Sequence, residues 1–176
     1  MRYVALLRGI NVGGNKKVPM KDLAEFMKVW GFSGVKTLLN SGNVIFETNE
    51  HDGKALETFL EEHLKVAFGF PVPCIIRSLD DIQILIKSDP FMDVVVHDQI
   101  RLYVTFFKND FTKPFESPWS APDNSYHILS HDAHHMISYL DLSVTNTIKG
   151  MDESGKIFGK EVTTRNWNTV EKIGVM

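Results

Sequence analysis

The apolar pattern of the first 77 residues switches repeatedly between a period of two and a period of three to four. Over residues 2–8, Tyr3, Ala5 and Leu7 alternate with Val4, Leu6 and Arg8. Both sets are mostly apolar, which predicts a strand covered on both faces. Pro19 enters a helix with Leu23, Phe26, Met27 and Trp30 at i, i+3, i+4 and i+7, and Gly31 ends it. Residues 35–39 and 44–48 read as strands joined through Asn40-Ser41-Gly42-Asn43, a tight hairpin signal. A long helix is expected over about 53–68, with Leu56, Phe59, Leu60, Leu64 and Ala67 on one face. Pro71-Val72-Pro73 then opens a strand at 74–77. The order β-α-β-β-α-β is the split βαβ, or ferredoxin-like, pattern. There, one right-handed helical crossover makes the first two strands parallel, so the loops after them share one sheet edge.

The rest of the chain also alternates the two periods. Ser78-Leu79-Asp80-Asp81 has the form of a helix cap, followed by Leu79, Ile82, Leu85 and Ile86 inward and a stop at Ser88-Asp89-Pro90. Residues 100–107 alternate as a strand, and 108–125 read as a long connection with a short helical turn. A hairpin is expected at 126–130 and 135–140, a helix within about 143–158, and a final helix over about 164–174 that turns Trp167, Val170 and Ile173 inward. The fold class expected is α+β: a ferredoxin-like βαββαβ subdomain at 1–77 packed on a second α+β subdomain at 78–176 with a C-terminal helix. No internal repeat is strong enough to establish duplication.

Composition changes this picture little. Of 176 residues, 43% are apolar and 23% charged, the balance of a globular chain able to bury a core. No apolar run approaches the roughly 18–20 residues that span a bilayer, and Arg8 cuts the N-terminal run too short for a signal peptide. A single cysteine, Cys74, precludes an internal disulfide, and the cytoplasm is the expected compartment. Charge matters more. The net value of −3 gives no global attraction to nucleic acid or anionic membrane, yet residues 1–77 hold ten Lys/Arg against eight Asp/Glu. Residues 78–176 hold nine against fourteen, and the positive charge gathers over 8–21.

Three polar segments stand out from this background. The first is the glycine-rich loop with Arg8, Asn11, Gly13, Gly14, Lys16 and Lys17, set between a strand and a helix. Such a junction offers backbone N–H groups to an anion, with Arg and Lys adding charge. It is neither a P-loop nor G-x-G-x-x-G, and a plain turn with Gly13 or Gly14 at positive φ explains it equally. The second is the hairpin with Asn40, Ser41 and Asn43, whose residue types suit a turn as well as a ligand. The third is Thr163-Thr164-Arg165-Asn166-Trp167-Asn168-Thr169, too rich in weak helix formers to be selected for helix stability alone. On a helix, Arg165, Asn168, Thr169 and Lys172 form a polar stripe, serving either a ligand or a lock between subdomains.

Three blocks in these segments, Leu6-Leu-Arg-Gly-Ile-Asn-Val-Gly-Gly14, Asn40-Ser-Gly-Asn-Val-Ile-Phe46 and Thr163-Thr-Arg-Asn-Trp-Asn-Thr-Val170, resemble the signatures of a bacterial family. It is domain-of-unknown-function family 1697. The resemblance implies a two-subdomain α+β fold of ferredoxin-like type and carries no established activity. Asn40 stands where the family pattern has Gln.

The histidines and acids point elsewhere. His131-Asp132-Ala133-His134-His135 reads as a polar hairpin turn, without H-E-x-x-H spacing or cysteine ligands, so no metal site is expected and no cofactor is indicated. The candidate segments contain no His, Asp, Glu or Cys to act as acid, base or nucleophile, unless Asp89 or His97 supplies a base. The leading expectation is therefore a binding protein for an anionic small molecule, a nucleotide or phosphorylated metabolite. Its ligand residues would be Arg8, Asn11, Gly13, Gly14, Lys16, Asn40, Ser41, Asn43, Thr164, Arg165, Asn166 and Asn168. A transferase or hydrolase of phosphorylated substrates is the alternative, and an RNA-binding sheet a third, with Tyr3 and Phe46 as stacking rings if exposed. No membrane partner is expected.

Overall fold

Both alternating sets of β1 (Arg2–Leu7) are buried, as a strand apolar on both faces demands. The computed structural model, which describes residues 1–144 and 155–176, sets β1 inside a four-stranded antiparallel sheet. Its neighbours are β2 (Ser33–Leu38), β3 (Asn43–Glu47) and β4 (Cys74–Ser78), in the order β2-β3-β1-β4. Tyr3, Ala5 and Leu7 join a core with Leu23 and Met27 of α1 (Met20–Val29) and Leu56, Leu60 and Leu64 of α2 (Gly53–Phe68). Val4 and Leu6, on the opposite face, are also fully buried, and α3 (Leu79–Lys87) runs against β1 and β4. The β-α-β-β-α-β order is thus realised. β1 and β2 are both antiparallel to β3, so they point the same way and their following loops lie at one edge.

The edge strand β4 is protected by two helix carboxylates. The Cys74 and Ile76 N–H groups donate to Glu61 Oε1 (2.9 Å) and Glu57 Oε1 (3.0 Å). Four helical residues rise about 6 Å and two strand residues about 6.6 Å, so an i, i+4 pair on α2 matches an i, i+2 pair on β4. Exposed edge amides are templates for unwanted pairing, and here they are covered from within. Glu57 is 3% exposed and also meets Lys54 Nζ at 3.1 Å. The ends of α2 follow local rules: Asp52 Oδ1 accepts from the Lys54 and Ala55 N–H groups, and Gly69 closes the helix at φ 78°.

The chain divides into two units, residues 1–87 with 172–176, and residues 88–171. The first therefore extends past residue 77 to include α3 and the chain's last residues. The second holds β5 (Ile100–Phe107), β6 (Trp119–Ser120), β7 (Tyr126–His131), β8 (His135–Asp141) and β9 (Val162–Asn166), antiparallel in the order β6-β7-β8-β5-β9. Phe107, Tyr126, Ile128, Met136 and Leu140 form its core, and the buried Tyr126 hydroxyl donates to Ser138 Oγ at 2.9 Å. The final helix, α4 (Trp167–Gly174), follows β9 directly.

Three expectations change. Residues 164–166 belong to β9, not to the final helix, because Val162, Thr163 and Thr164 are β-branched and Thr164 Oγ1 bonds Thr105 Oγ1 across the sheet at 2.8 Å. The connection 108–125 contains the short strand β6 and, over its length, no helical turn. The helix placed within 143–158 falls largely outside the described residues, of which 155–158 are helical.

The edge lock makes a stability prediction. Replacing Glu57 with Ala strands the buried Ile76 N–H and is expected to cost about 1–3 kcal/mol. A melting temperature lowered by several degrees in a circular-dichroism melt checks it, and Glu57→Gln, which keeps an acceptor, should recover much of the loss.

Candidate functional site

At the shared sheet edge the glycine loop folds as a miniature hairpin. The Asn11 N–H donates to Lys16 O (3.1 Å), the Asn15 N–H to Val12 O (3.2 Å), and Val12 pairs with Asn15. Between them Gly13 and Gly14 both sit at positive φ, 59° and 78°, the conformation a two-residue hairpin turn favours. The side chain of Asn11 holds this hairpin in place. Its Oδ1 accepts from the Val18 N–H at 2.9 Å, while its Nδ2 donates to Val18 O at 3.0 Å and to Asn40 O at 2.8 Å. Asn11 itself has φ 56°, a left-handed backbone that asparagine tolerates better than most residues.

The second loop docks on the first. The Leu7 N–H donates to Gly42 O at 2.8 Å, and Gly42, at φ 77°, lies so close that a Cβ would meet Ile10 Cδ1 at 2.6 Å and Leu7 Cβ at 2.8 Å. Asn43 is fully buried, its Nδ2 donating to Leu38 O (2.9 Å) and Ser41 Oγ (3.1 Å). The structure thus brings Asn11, Asn40, Ser41 and Asn43 together, with Arg8 one residue past β1.

These residues divide into two kinds. Asn11 and Asn43 spend their amides on backbone, and Gly13 and Gly14 shape the turn. Arg8, Lys16, Lys17, Asn40 and Ser41 are exposed at the surface. Arg8, Lys16 and Lys17 make no side-chain hydrogen bond or ion pair with any described residue. The first turn of α1 opens beside them from Pro19, without a side-chain cap. Arg8, Lys16, Lys17 and Lys21 gather here, with Asp22 in the first turn of α1 the one acid among residues 3–24, in a chain of net charge −3.

The C-terminal block is built differently and belongs mainly to the second unit. Thr164 and Arg165 lie in β9, so the stripe of Arg165, Asn168, Thr169 and Lys172 does not form on one helix. Arg165 is 7% exposed and its Nη1 donates to Thr163 Oγ1 (2.6 Å) and Thr164 O (3.0 Å). Burial lowers its pKa to about 10, which still leaves it charged at neutral pH. Trp167 stacks edge-on against Phe91 at 5.1 Å, while Asn166 and Asn168 are exposed.

Other candidates resolve individually. His131 is half-buried among Phe111, Phe115 and Phe158 rather than solvated, with Nδ1 3.3 Å from Ser117 Oγ. His134 and His135 face Asp110 (3.3 Å) and Asp132 (3.1 Å). Among the described residues no group of three or more His, Cys, Asp or Glu is placed to hold a metal. Tyr3 and Phe46 are 4% and 0% exposed, so neither ring is offered to a base. Asp89 and His97 are exposed and lie in the second unit. Among the described residues no helix is long and apolar enough to cross a membrane.

The class these observations define is a two-unit α+β protein with a basic loop edge. Residues 1–131 match the family described as protein of unknown function DUF1697, and the chain belongs to that family. Its fold is similar to that of the conserved bacterial protein SP0830 from Streptococcus pneumoniae, at 22% identity and a TM-score of 0.70, over 99% of this chain and 97% of that one. No curated protein matches the chain.

Two substitutions test the loop clamp. Asn11→Gly keeps the left-handed backbone but deletes three hydrogen bonds, an expected cost of about 1–3 kcal/mol, and Asn11→Ala should cost roughly 1 kcal/mol more through φ strain. Urea unfolding of the two variants separates the contributions. Gly42→Ala meets both strain and a clash with Leu7 and Ile10, and a loss of about 2 kcal/mol or more is expected in the same assay.

Proposed function

We propose that the protein binds an anionic small molecule, a nucleotide or phosphorylated metabolite, at the edge where the glycine loop meets the 39–42 turn. The observation that carries this reading is the exposure of Arg8, Lys16 and Lys17, none paired with a described residue, around a loop rigidified by Asn11. Holding cations on a fixed backbone lowers the ordering cost of binding, and Arg8 supplies a fork suited to phosphate or carboxylate. Asn40 and Ser41 add a neutral donor and acceptor at the rim. These residues include no His, Asp, Glu or Cys to act as acid, base or nucleophile, so the reading is recognition rather than acid–base chemistry. Arg165 stands apart in this reading: it is buried and bonded to Thr163 and Thr164 within β9, and it is not counted among the ligand residues.

A thermal-shift screen with pyrophosphate, nucleoside phosphates and sugar phosphates is the first test. A stabilising anion is expected, whose affinity falls about tenfold or more in Lys16→Ala/Lys17→Ala and weakens with salt. If no anion raises the melting temperature, or if the double variant binds as tightly as the parent, the reading is wrong. Arg165→Ala should lower the melting temperature by several degrees with or without anion, because it empties a buried, hydrogen-bonded position.

A further inference from the structure

The basic edge carries a second feature that anion binding does not use. Val12 is 71% exposed and Leu39 50% exposed, and each lies one residue from the bonded pair Asn11 and Asn40. Leu39 also sits at φ 60°, where a branched side chain is unfavourable. Neither burial nor backbone conformation favours leucine there. The result is two bare aliphatic side chains on the bonded loops, one of which carries Arg8, Lys16 and Lys17.

The second unit bears a surface of complementary character. Residues 88–98, Ser-Asp-Pro-Phe-Met-Asp-Val-Val-Val-His-Asp, hold three aspartates and no Lys or Arg, although Lys87 and Arg101 flank them. Phe91 is buried against Trp167, and turns closed by Met92 N–H to Asp89 O, Val94 N–H to Phe91 O and Ile100 N–H to His97 O fix the segment at both ends. Between these anchors Met92 is 73% exposed, Val95 83% and Val96 59%. Val95 and Val96, exposed side by side on an anchored segment, lack a folding rationale, and such a pair suits an interaction surface.

We infer that this chain associates with a second copy of itself, the acidic aliphatic segment 89–98 of one molecule docking on the basic edge at Val12, Leu39, Lys16 and Lys17 of another. Aliphatic contact supplies the buried centre, and Asp89, Asp93 and Asp98 meet the surrounding cations at the rim. The contact shares Lys16 and Lys17 with the proposed anion site but needs no small ligand.

Sedimentation velocity on the full chain tests it. Association is expected at protein concentrations up to about 200 µM in about 20 mM salt, weakening as salt screens the rim. Lys16→Glu/Lys17→Glu and Asp93→Lys/Asp98→Lys should each weaken self-association about tenfold or more through like-charge contact. An equimolar mixture of the two variants should associate again, since each edge then faces a segment of opposite charge. Val95→Ser/Val96→Ser should dissociate the assembly while leaving the melting curve of the isolated chain and pyrophosphate binding unchanged. A chain that stays monomeric throughout, variants that associate as well as the parent, or a charge-swapped mixture that stays apart would each overturn the inference. Pyrophosphate binding, measured on the same proteins, reports separately on the anion site.

Discussion

The loop edge depends on the side-chain amide of Asn11. One residue supplies an acceptor to the Val18 N–H and a donor shared between Val18 O and Asn40 O. It closes the base of the glycine hairpin and ties that hairpin to the turn after β2. Without it, a loop with three glycines at positive φ would have few constraints other than its own turn bonds. Its cost is a left-handed backbone at Asn11 itself, which asparagine bears with little strain. Everything proposed for this edge presumes that the cations stand on a fixed frame, and Asn11 is what fixes it.

That frame explains why the polar residues here behave so differently. Asn11 and Asn43 are chemically like Asn40, yet they bond backbone while Asn40 is left at the surface. A tight turn leaves backbone groups without ladder partners, and short amides are well suited to satisfy them. Once those needs are met, Arg8, Lys16 and Lys17 remain with nothing local to neutralise them. The absence of acids over residues 1–21 keeps that positive field intact, whereas the second half of the chain is acidic.

Each edge of the first unit's sheet can be considered in the same terms. β4 has its Cys74 and Ile76 amides answered by Glu61 and Glu57, so a charged pair works as part of the fold. β2 is interrupted by a register shift between Ser33 and Lys36, with Gly34 at φ 58°, a device that discourages strand addition. Both edges are thereby made poor templates for strand pairing.

Much of this architecture was legible in the residues. Alternation on both faces of residues 2–8, Pro19 before a period of three to four, and a 16-residue stretch with Leu56, Phe59, Leu60 and Leu64 on one face determine β1, α1 and α2 through local physics. The β-α-β-β-α-β order and the right-handed crossover then placed the two loops at one edge. What local rules did not decide was the partner of each polar group. Weak helix formers at 163–166 marked an unusual segment, but only the pairing of Thr164 with Thr105 made it a strand and carried Arg165 into burial. Nor does an asparagine's sequence context say whether its amide meets backbone or water. Hydrophobic period is a property of neighbours along the chain, whereas hydrogen-bond partnership belongs to residues brought together by folding, and that is where the tertiary structure had the deciding role.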